Sequence, residues 1–555
     1  VSYSYDSSAY RAAFESNFTF LSGFWRNVRR YGGRPALIDP GLTGPSRSWT
    51  YAELGDLVAR LAQGLADRGV QAGDVVAFQL YNCAEFAQLY LAVEQLGAIA
   101  SPINFRFSPG ETAHVLDDSR PTVFVYDTGQ TDAIRTALEL AEHRPARLIA
   151  VDPDPGAGGE PGLDGAEPFE ALPATPGIRV PHGGRTAWDE TLRLYTSGTT
   201  GMPKGVSLNN AAEVLTAHDV IMHFPLTPQD KTLNMTPWFH RGGISAGGPQ
   251  PVLYAGAAAV IMKQFDADAV LDLVESEGLT FLIGAPTNLG LLAAAQESHP
   301  RDLSSLHGIV TMGAPLERAA CLRFQSVLTP RIFNGYGTTE AFWNTFLRPA
   351  DLPDHAGSAG QACTDDDVRV VAAYDDRPAD PDDLVPRDGV TTGEVIMRSL
   401  KSGYAYVNKP EEQQAKFRGD WLYSGDIGTW DGDEFVTIVG RKDDMIISGG
   451  ENVHPVQVEE VLNSHPSVAD AIVVGLPDER WGELVVAYVQ TTDSELTATE
   501  LDKHCLASPM LADFKRPRRY RFVTELPRTA TGKKMHYVIR DEVRKPGAAE
   551  SLLIP

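Results

Sequence analysis

Tyr195-Thr196-Ser197-Gly198-Thr199-Thr200-Gly201-Met202-Pro203-Lys204-Gly205-Val206 is the stretch on which the reading of this chain turns. It holds three glycines, four Ser/Thr hydroxyls and one lysine. The run Leu192-Arg193-Leu194-Tyr195 leads in as a strand, and Val206-Ser207-Leu208, Asn209-Asn210 and a helical apolar pattern follow. The stretch is therefore a strand-to-strand or strand-to-helix loop. Glycine lets a backbone fold tightly enough to turn its N–H groups on an anion, and hydroxyls add donors. Lys204 adds a point charge suited to phosphate oxygens. A Walker A loop is excluded, because Lys204 follows Pro203 and precedes Gly205 instead of Ser or Thr. A short GTTG alone is equally a surface turn, but the twelve-residue string is far more specific.

Outward from this loop the chain alternates. The helix 52–68 puts Leu54, Leu57, Val58, Leu61 and Leu65 on one face, and strands are expected at 74–80 and 99–104 with a helix from Cys83 to Leu96 between them. This β–α–β rhythm predicts a parallel sheet covered by helices. Residues 11–35, with aromatics among arginines, read as one N-terminal helix. Residues 152–184 read as a surface loop or crossing. Short strands and turns at about 360–440 predict a small β-subdomain. The expected fold class is α/β: a large N-terminal domain, 1–441, and a small mobile C-terminal domain, 442–555. A length of 555 residues demands at least two cores.

The formal net charge of −25 argues against a nucleic-acid partner. Between Phe514 and Lys545, however, eleven Lys or Arg face three acids, a local site for a small polyanion. The four cysteines, 83, 321, 363 and 505, form no CxxC pair, so no disulfide framework or zinc site is expected and a cytoplasmic setting fits. Val1–Asp6 shows no signal-peptide pattern, and the longest small-apolar run, 255–262, is too short to span a bilayer.

Further motifs follow in order. They are Thr236-Pro237-Trp238-Phe239-His240-Arg241-Gly242-Gly243, Gly313-Ala314-Pro315, Asn334-Gly335-Tyr336-Gly337-Thr338-Thr339-Glu340, Tyr423-Ser424-Gly425-Asp426, Gly440-Arg441-Lys442-Asp443 and Thr531-Gly532-Lys533. Each alone has a bland reading: a turn with a helix cap for GYGTTE, a β-turn for SGD, a solvated surface charge for Lys533. Together and in this order, over roughly residues 20–545, the chain strongly resembles the adenylate-forming superfamily of acyl-CoA ligases, nonribosomal adenylation domains and firefly-type luciferases.

The resemblance implies ATP-dependent activation of a carboxylic acid to acyl-AMP, then transfer to coenzyme A, with Mg²⁺ required. It implies that Thr196, Ser197, Gly198, Thr199, Thr200 and Lys204 hold the β- and γ-phosphates and Thr339 the α-phosphate. Glu340 would ligate Mg²⁺. Tyr336 would stack on adenine in a pocket lined by Gly313, Ala314, Pro315, Asn334 and Gly335, and Asp426 and Arg441 would serve the ribose. Lys533 would bridge carboxylate and α-phosphate, with Lys534 as its adjacent competitor. Asp443 matches the hinge position. Gly449, Gly450, Trp481, Phe514, Arg516 and Arg518 resemble the CoA-binding segments of 4-chlorobenzoate-type ligases. His240, Trp238, Phe239, Gly243, Gly248 and Trp343 fall where gating and acyl-pocket residues lie, and the many small residues suggest room for a bulky cyclic, aromatic or other apolar acid. Trp343 reads equally as plain core. A carrier-protein acceptor and a non-catalytic nucleotide-binding relative remain the alternatives, and a homodimer is a possible assembly.

Overall fold

The computed structural model describes residues 7–555 except 43, 153–161, 175–184, 197–201, 375–376, 404, 449–450, 479–480, 492, 509–510, 512, 529–531 and 546. Among the described residues the strands form four main sheets. A seven-stranded sheet runs Glu167–Pro168, Arg147–Val151, Val123–Asp127, Val75–Gln79, Ile99–Pro102, Glu190–Thr196, Lys204–Asn209, with only the last pair antiparallel. A nine-stranded sheet has the parallel series Ile332–Thr338, Gly308–Met312, Phe281–Gly284, Lys231–Asn234, Ala258–Val260 and Pro35–Asp39 at its centre. Antiparallel strands close both of its edges.

Local chemistry explains these elements. Thr50 and Glu53 form a reciprocal capping box that starts the helix Tyr51–Asp67, and Leu54, Val58, Leu61 and Leu65 are all buried. Every residue of Val75–Gln79 is buried, as expected for a parallel strand covered on both faces. The helix Ala84–Leu96 is buried along its whole length and belongs to the main apolar cluster, which draws on both large sheets.

Two expectations change. The single N-terminal helix is two, Ser8–Asn17 and Phe20–Arg30, because the Thr19 side chain accepts a hydrogen bond from the Ser22 N–H and starts a new helix. The GYGTTE motif caps no helix. Its strand runs on to Thr338 and turns into the antiparallel strand Phe342–Leu347.

Residues 366–441 supply a five-stranded antiparallel sheet, Asp366–Val371, Gly393–Ser399, Trp421–Trp430 and Phe417–Arg418, with Val436–Arg441 beside Trp421–Trp430. After the turn Lys442–Asp444 comes the last sheet, built on the long antiparallel pair Val468–Asp478 and Gly482–Thr491. It has its own apolar cluster, including Val473, Val485, Leu501 and Tyr520. The class is thus mixed α/β with parallel sheets, a large N-terminal and a small C-terminal part.

Candidate active site

The opening loop joins two strands. Thr196 pairs with Lys204 across an antiparallel hairpin, while Ser197, Gly198, Thr199 and Thr200 lie outside the described residues. Lys204 pairs with Glu412. The segment before Asn408 runs along Lys204–Asn209, with Val407 N–H donating to Gly205 O at 2.8 Å and Ser207 N–H to Ala405 O at 3.2 Å. That delivers the Tyr406 hydroxyl to the Glu340 carboxylate.

Glu340 sits in the tight turn between Ile332–Thr338 and Phe342–Leu347. Burial by itself would raise its pKa, but the Lys416 charge and the Tyr406 hydroxyl more than offset this and hold Glu340 below its ordinary value. It is therefore a carboxylate at neutral pH. Lys416, which sequence reasoning missed, donates to Ser424 O at 2.6 Å, and burial lowers its pKa.

Asp426 and Arg441 are cross-strand partners, and the guanidinium donates to Asp426 Oδ1 at 2.7 Å. The Tyr336 hydroxyl donates to Asp426 Oδ2 at 2.7 Å, which fixes the phenol ring beside that carboxylate. Asn334 donates to Ser358 O at 3.3 Å, while its buried Oδ1 has no partner among the described residues. A buried acceptor without a donor is costly, so this atom calls for an N–H from a ligand. An adenine amino group fits.

Lys533 arrives from the far end of the chain. A Cβ on Gly313 would lie 3.8 Å from Lys533 Cε, and a Cβ on Gly532 would lie 2.9 Å from Thr287 Oγ1. Gly532 has φ +83°, a left-handed conformation that favours glycine. The Lys533 side chain is exposed, although protein atoms crowd around its ammonium. Burial lowers its pKa, Asp426 and Glu340 oppose that, and Arg441 reinforces it. Lys534 instead points back into its own part of the chain, 2.9 Å from Glu459 and 2.8 Å from Asp470.

His240 lies against Phe239, ring centroids 4.2 Å apart, and its Nε2 is buried without a partner among the described residues. Burial, with Lys533 and Arg106 adding, drives its pKa down to about 3, so the ring is neutral. Phe239 also meets the edge of Phe105 at 5.1 Å.

The expectation that small residues open an acyl pocket is corrected at two positions. A Cβ on Gly243 would overlap Pro237 O at 1.8 Å, and one on Gly248 would overlap Gly243 O at 1.8 Å. Both glycines serve close backbone crossing rather than space for a ligand. Trp238 is core, packed edge-on to Phe86 at 5.7 Å. Trp343 is core too, between Phe342 and Phe346, with its indole against Gly335.

The expected CoA set is less assembled. Gly449 and Gly450 and the Phe514 side chain lie outside the described residues, as does the Asp443 side chain. Trp481 is exposed. Arg516 bonds Asp502 at 2.7 Å, and Arg518 reaches Asp513 O at 3.5 Å. In this arrangement a carboxylate holds the Arg516 guanidinium.

The cleft combines an ionised buried carboxylate, an orphan acceptor and a converging lysine. Comparison with protein families agrees. The AMP-binding enzyme model matches residues 24–404 and the AMP-binding enzyme C-terminal domain model residues 457–533. The chain belongs to the AMP-binding enzyme family. It is 34% identical over 529 residues to an indoleacetate–CoA ligase of Aromatoleum aromaticum, covering 94% of this chain and 98% of that one. It is 33% identical to a feruloyl-CoA synthase of an Amycolatopsis species, covering 89% and 93%. Among solved structures it resembles the anthranilate CoA ligase AuaEII in complex with anthranoyl-AMP, with TM-score 0.82, 27% identity, and 96% and 98% covered. Among the described residues no helix of this AMP-binding enzyme is long and apolar enough to cross a membrane.

Proposed function

We propose that this protein is an AMP-forming acid–thiol ligase. A carboxylate attacks the α-phosphate of ATP to give acyl-AMP and pyrophosphate, and the thiol of coenzyme A then displaces AMP to give the acyl-CoA. The position of Lys533 carries the proposal. A lysine from the C-terminal part stands beside Gly313, in the field of Glu340, Asp426 and Arg441. Adenylation brings two anions together, and a fixed ammonium between them offsets the repulsion and the charge that grows in the transition state.

The remaining roles follow from position. The Asn334 orphan acceptor takes the adenine amino group, and Tyr336, held by Asp426, lies against the base with Gly313, Ala314, Pro315 and Gly335 around it. Asp426, steadied by Arg441, accepts from the ribose hydroxyls. Lys204, Thr196 and the loop they flank hold the outer phosphates, and Thr339 donates to the α-phosphate. Glu340 is an ionised oxygen donor of the kind Mg²⁺ prefers, and that ion would neutralise phosphate charge when bound. His240, neutral beside Phe239, stands at the mouth of the acyl site.

We read the chain as dividing at Arg441/Lys442, with Asp443 as the hinge whose rotation withdraws Lys533 and presents Gly449, Gly450, Trp481, Phe514 and Arg518 for CoA. Arg516 joins them only by exchanging Asp502 for a CoA phosphate. The basic run 514–545 favours CoA over a carrier-protein thiol. A bulky cyclic, aromatic or other apolar acid is the proposed substrate class, supported by the ring-bearing acids in the names of three of the relatives, while others are named for fatty or branched-chain acids. A cytoplasmic setting accords with the ATP and CoA supply this chemistry needs.

The test is mass spectrometry of reactions with Mg·ATP and aromatic, alicyclic and fatty acids, each with and without CoA. Acyl-CoA that forms only with CoA and follows acyl-AMP supports the ligase and identifies the acid. Acyl-AMP that CoA never consumes moves the acceptor to a carrier protein.

A further inference from the structure

The turn that presents Thr339 and Glu340 is strained. Phe342 has φ +62°, a left-handed backbone that a bulky aromatic residue rarely adopts. A Cβ on Gly337 would overlap Phe342 O at 1.5 Å, so the hairpin closes only with glycine there. Such a conformation persists only where surrounding groups over-determine it.

Those groups form one buried network behind the turn. Arg241 is 4% exposed, and its guanidinium donates from Nη1 to Thr339 O at 2.6 Å. From Nη2 it donates to Lys401 O at 2.8 Å and Thr216 Oγ1 at 3.2 Å. Its Cζ lies 5.6 Å from the centre of the Phe342 ring. Lys401 is buried as well, with its ammonium 2.9 Å from Asp219 and 2.7 Å from Asp366. The same Asp366 Oδ2 accepts from Asn344 at 3.1 Å, and Asn344 reaches Ala341 O at 3.4 Å. The turn is therefore held at Thr339 by Arg241 and at Ala341 by Asn344, and Asn344 is in turn backed by Asp366 and Lys401.

We propose that Arg241 is a positioning residue whose planar fork clamps the Thr339–Phe342 turn and so sets where Thr339 and Glu340 stand. This rests on the reading of Glu340 as the Mg²⁺ carboxylate. Burying a guanidinium is costly, and among the described residues these hydrogen bonds go to neutral oxygens, two of them backbone carbonyls. Glu213, Glu340 and Asp366 act on it only at longer range. A fork is needed because a lysine offers one charged point and cannot serve Thr339 O and Lys401 O from opposite edges of a plane.

The experiment compares wild type, R241M, R241K and E340Q. Adenylation is followed by ATP–pyrophosphate exchange, thioesterification from supplied acyl-adenylate, folding by thermal melting, and binding of a non-hydrolysable ATP analogue by calorimetry with Mg²⁺ and with EDTA. For R241M the expected result is an adenylation kcat lower by about 10²-fold with the KM for the acid little changed. The Mg²⁺-dependent gain in analogue affinity should shrink, and R241K should recover part of both losses. R241M with wild-type kcat and an unchanged Mg²⁺ gain overturns the proposal. So does a fall of both half-reactions in step with the folded fraction. If R241M fails to fold, R241K decides by the same criteria. E340Q that keeps the Mg²⁺ gain overturns the reading of Glu340, and this inference with it. E340Q that loses the gain while R241M keeps it overturns this inference alone.

Discussion

Replacing Lys533 by alanine removes a cation that the C-terminal part brings to the cleft beside Gly313. Two unit charges about 4 Å apart interact by roughly 4 kcal/mol at an effective dielectric of ~20. That corresponds to about three powers of ten in rate. The Lys533 side chain still faces open space, so solvent screening lowers the expectation to about 10² to 10³-fold. The loss should fall on adenylation, measured by ATP–pyrophosphate exchange under single-turnover conditions, and largely spare thioesterification of supplied acyl-adenylate. The pH profile supplies a second readout. Lys533 acts as its ammonium form, and burial lowers its pKa from the ordinary lysine value. Adenylation should therefore decline with rising pH earlier than an ordinary lysine would dictate, and K533R should move that decline upward. Equal losses in both half-reactions of K533A, or no change in the alkaline limb of K533R, would refute the reasoning.

Three more outcomes are expected. Asp443 lies in the short 3₁₀ turn Lys442–Asp444, whose usual φ matches the fixed φ of proline, so D443P should lock the arrangement with Lys533 in the cleft. Adenylation should survive and thioesterification fall, and full activity in both steps would remove the hinge. Trp481 is exposed, so W481A should leave thermal stability unchanged and raise the KM for CoA; an unaltered KM ends its assignment. Glu459 is buried between Lys534 and His536, whose charges outweigh burial and bring its pKa down to about 2. Its contribution, about 3 kcal/mol, is fully present above pH ~4.5 and lost as pH falls towards 2. Acid unfolding of the C-terminal part, followed by circular dichroism, should shift to a higher pH midpoint in E459Q relative to wild type, because the mutant lacks the stabilisation at every pH where Glu459 is ionised; coincident curves would contradict this.

What was legible in the sequence follows the range of the forces involved. Helix starts such as Thr50–Glu53 and the buried strand Val75–Gln79 are written in neighbouring residues, because capping and side-chain alternation act over a few positions. The motifs around Glu340, Asp426 and Lys533 were readable for the same reason. Local reasoning failed where a residue answers to something distant. Gly243 and Gly248 look like open space in the sequence, but they are consumed by backbone passing within contact distance. Lys533 and Lys534 are chemically identical neighbours, and only the fold sends one to the cleft and the other to Glu459 and Asp470. Lys401, Tyr406 and Lys416 lie in no motif, and Arg241 lies in one that assigns it no role, since each acts across a long stretch of chain on a partner that chain order does not reveal. The sequence by itself determined the α/β class, the order of the motifs and the chemistry they suit, through short-range propensity and charge. Only the tertiary structure decided which charges meet, because the energy of a buried ion or a clamped turn depends on distance and enclosure, and neither exists until the sheets pack.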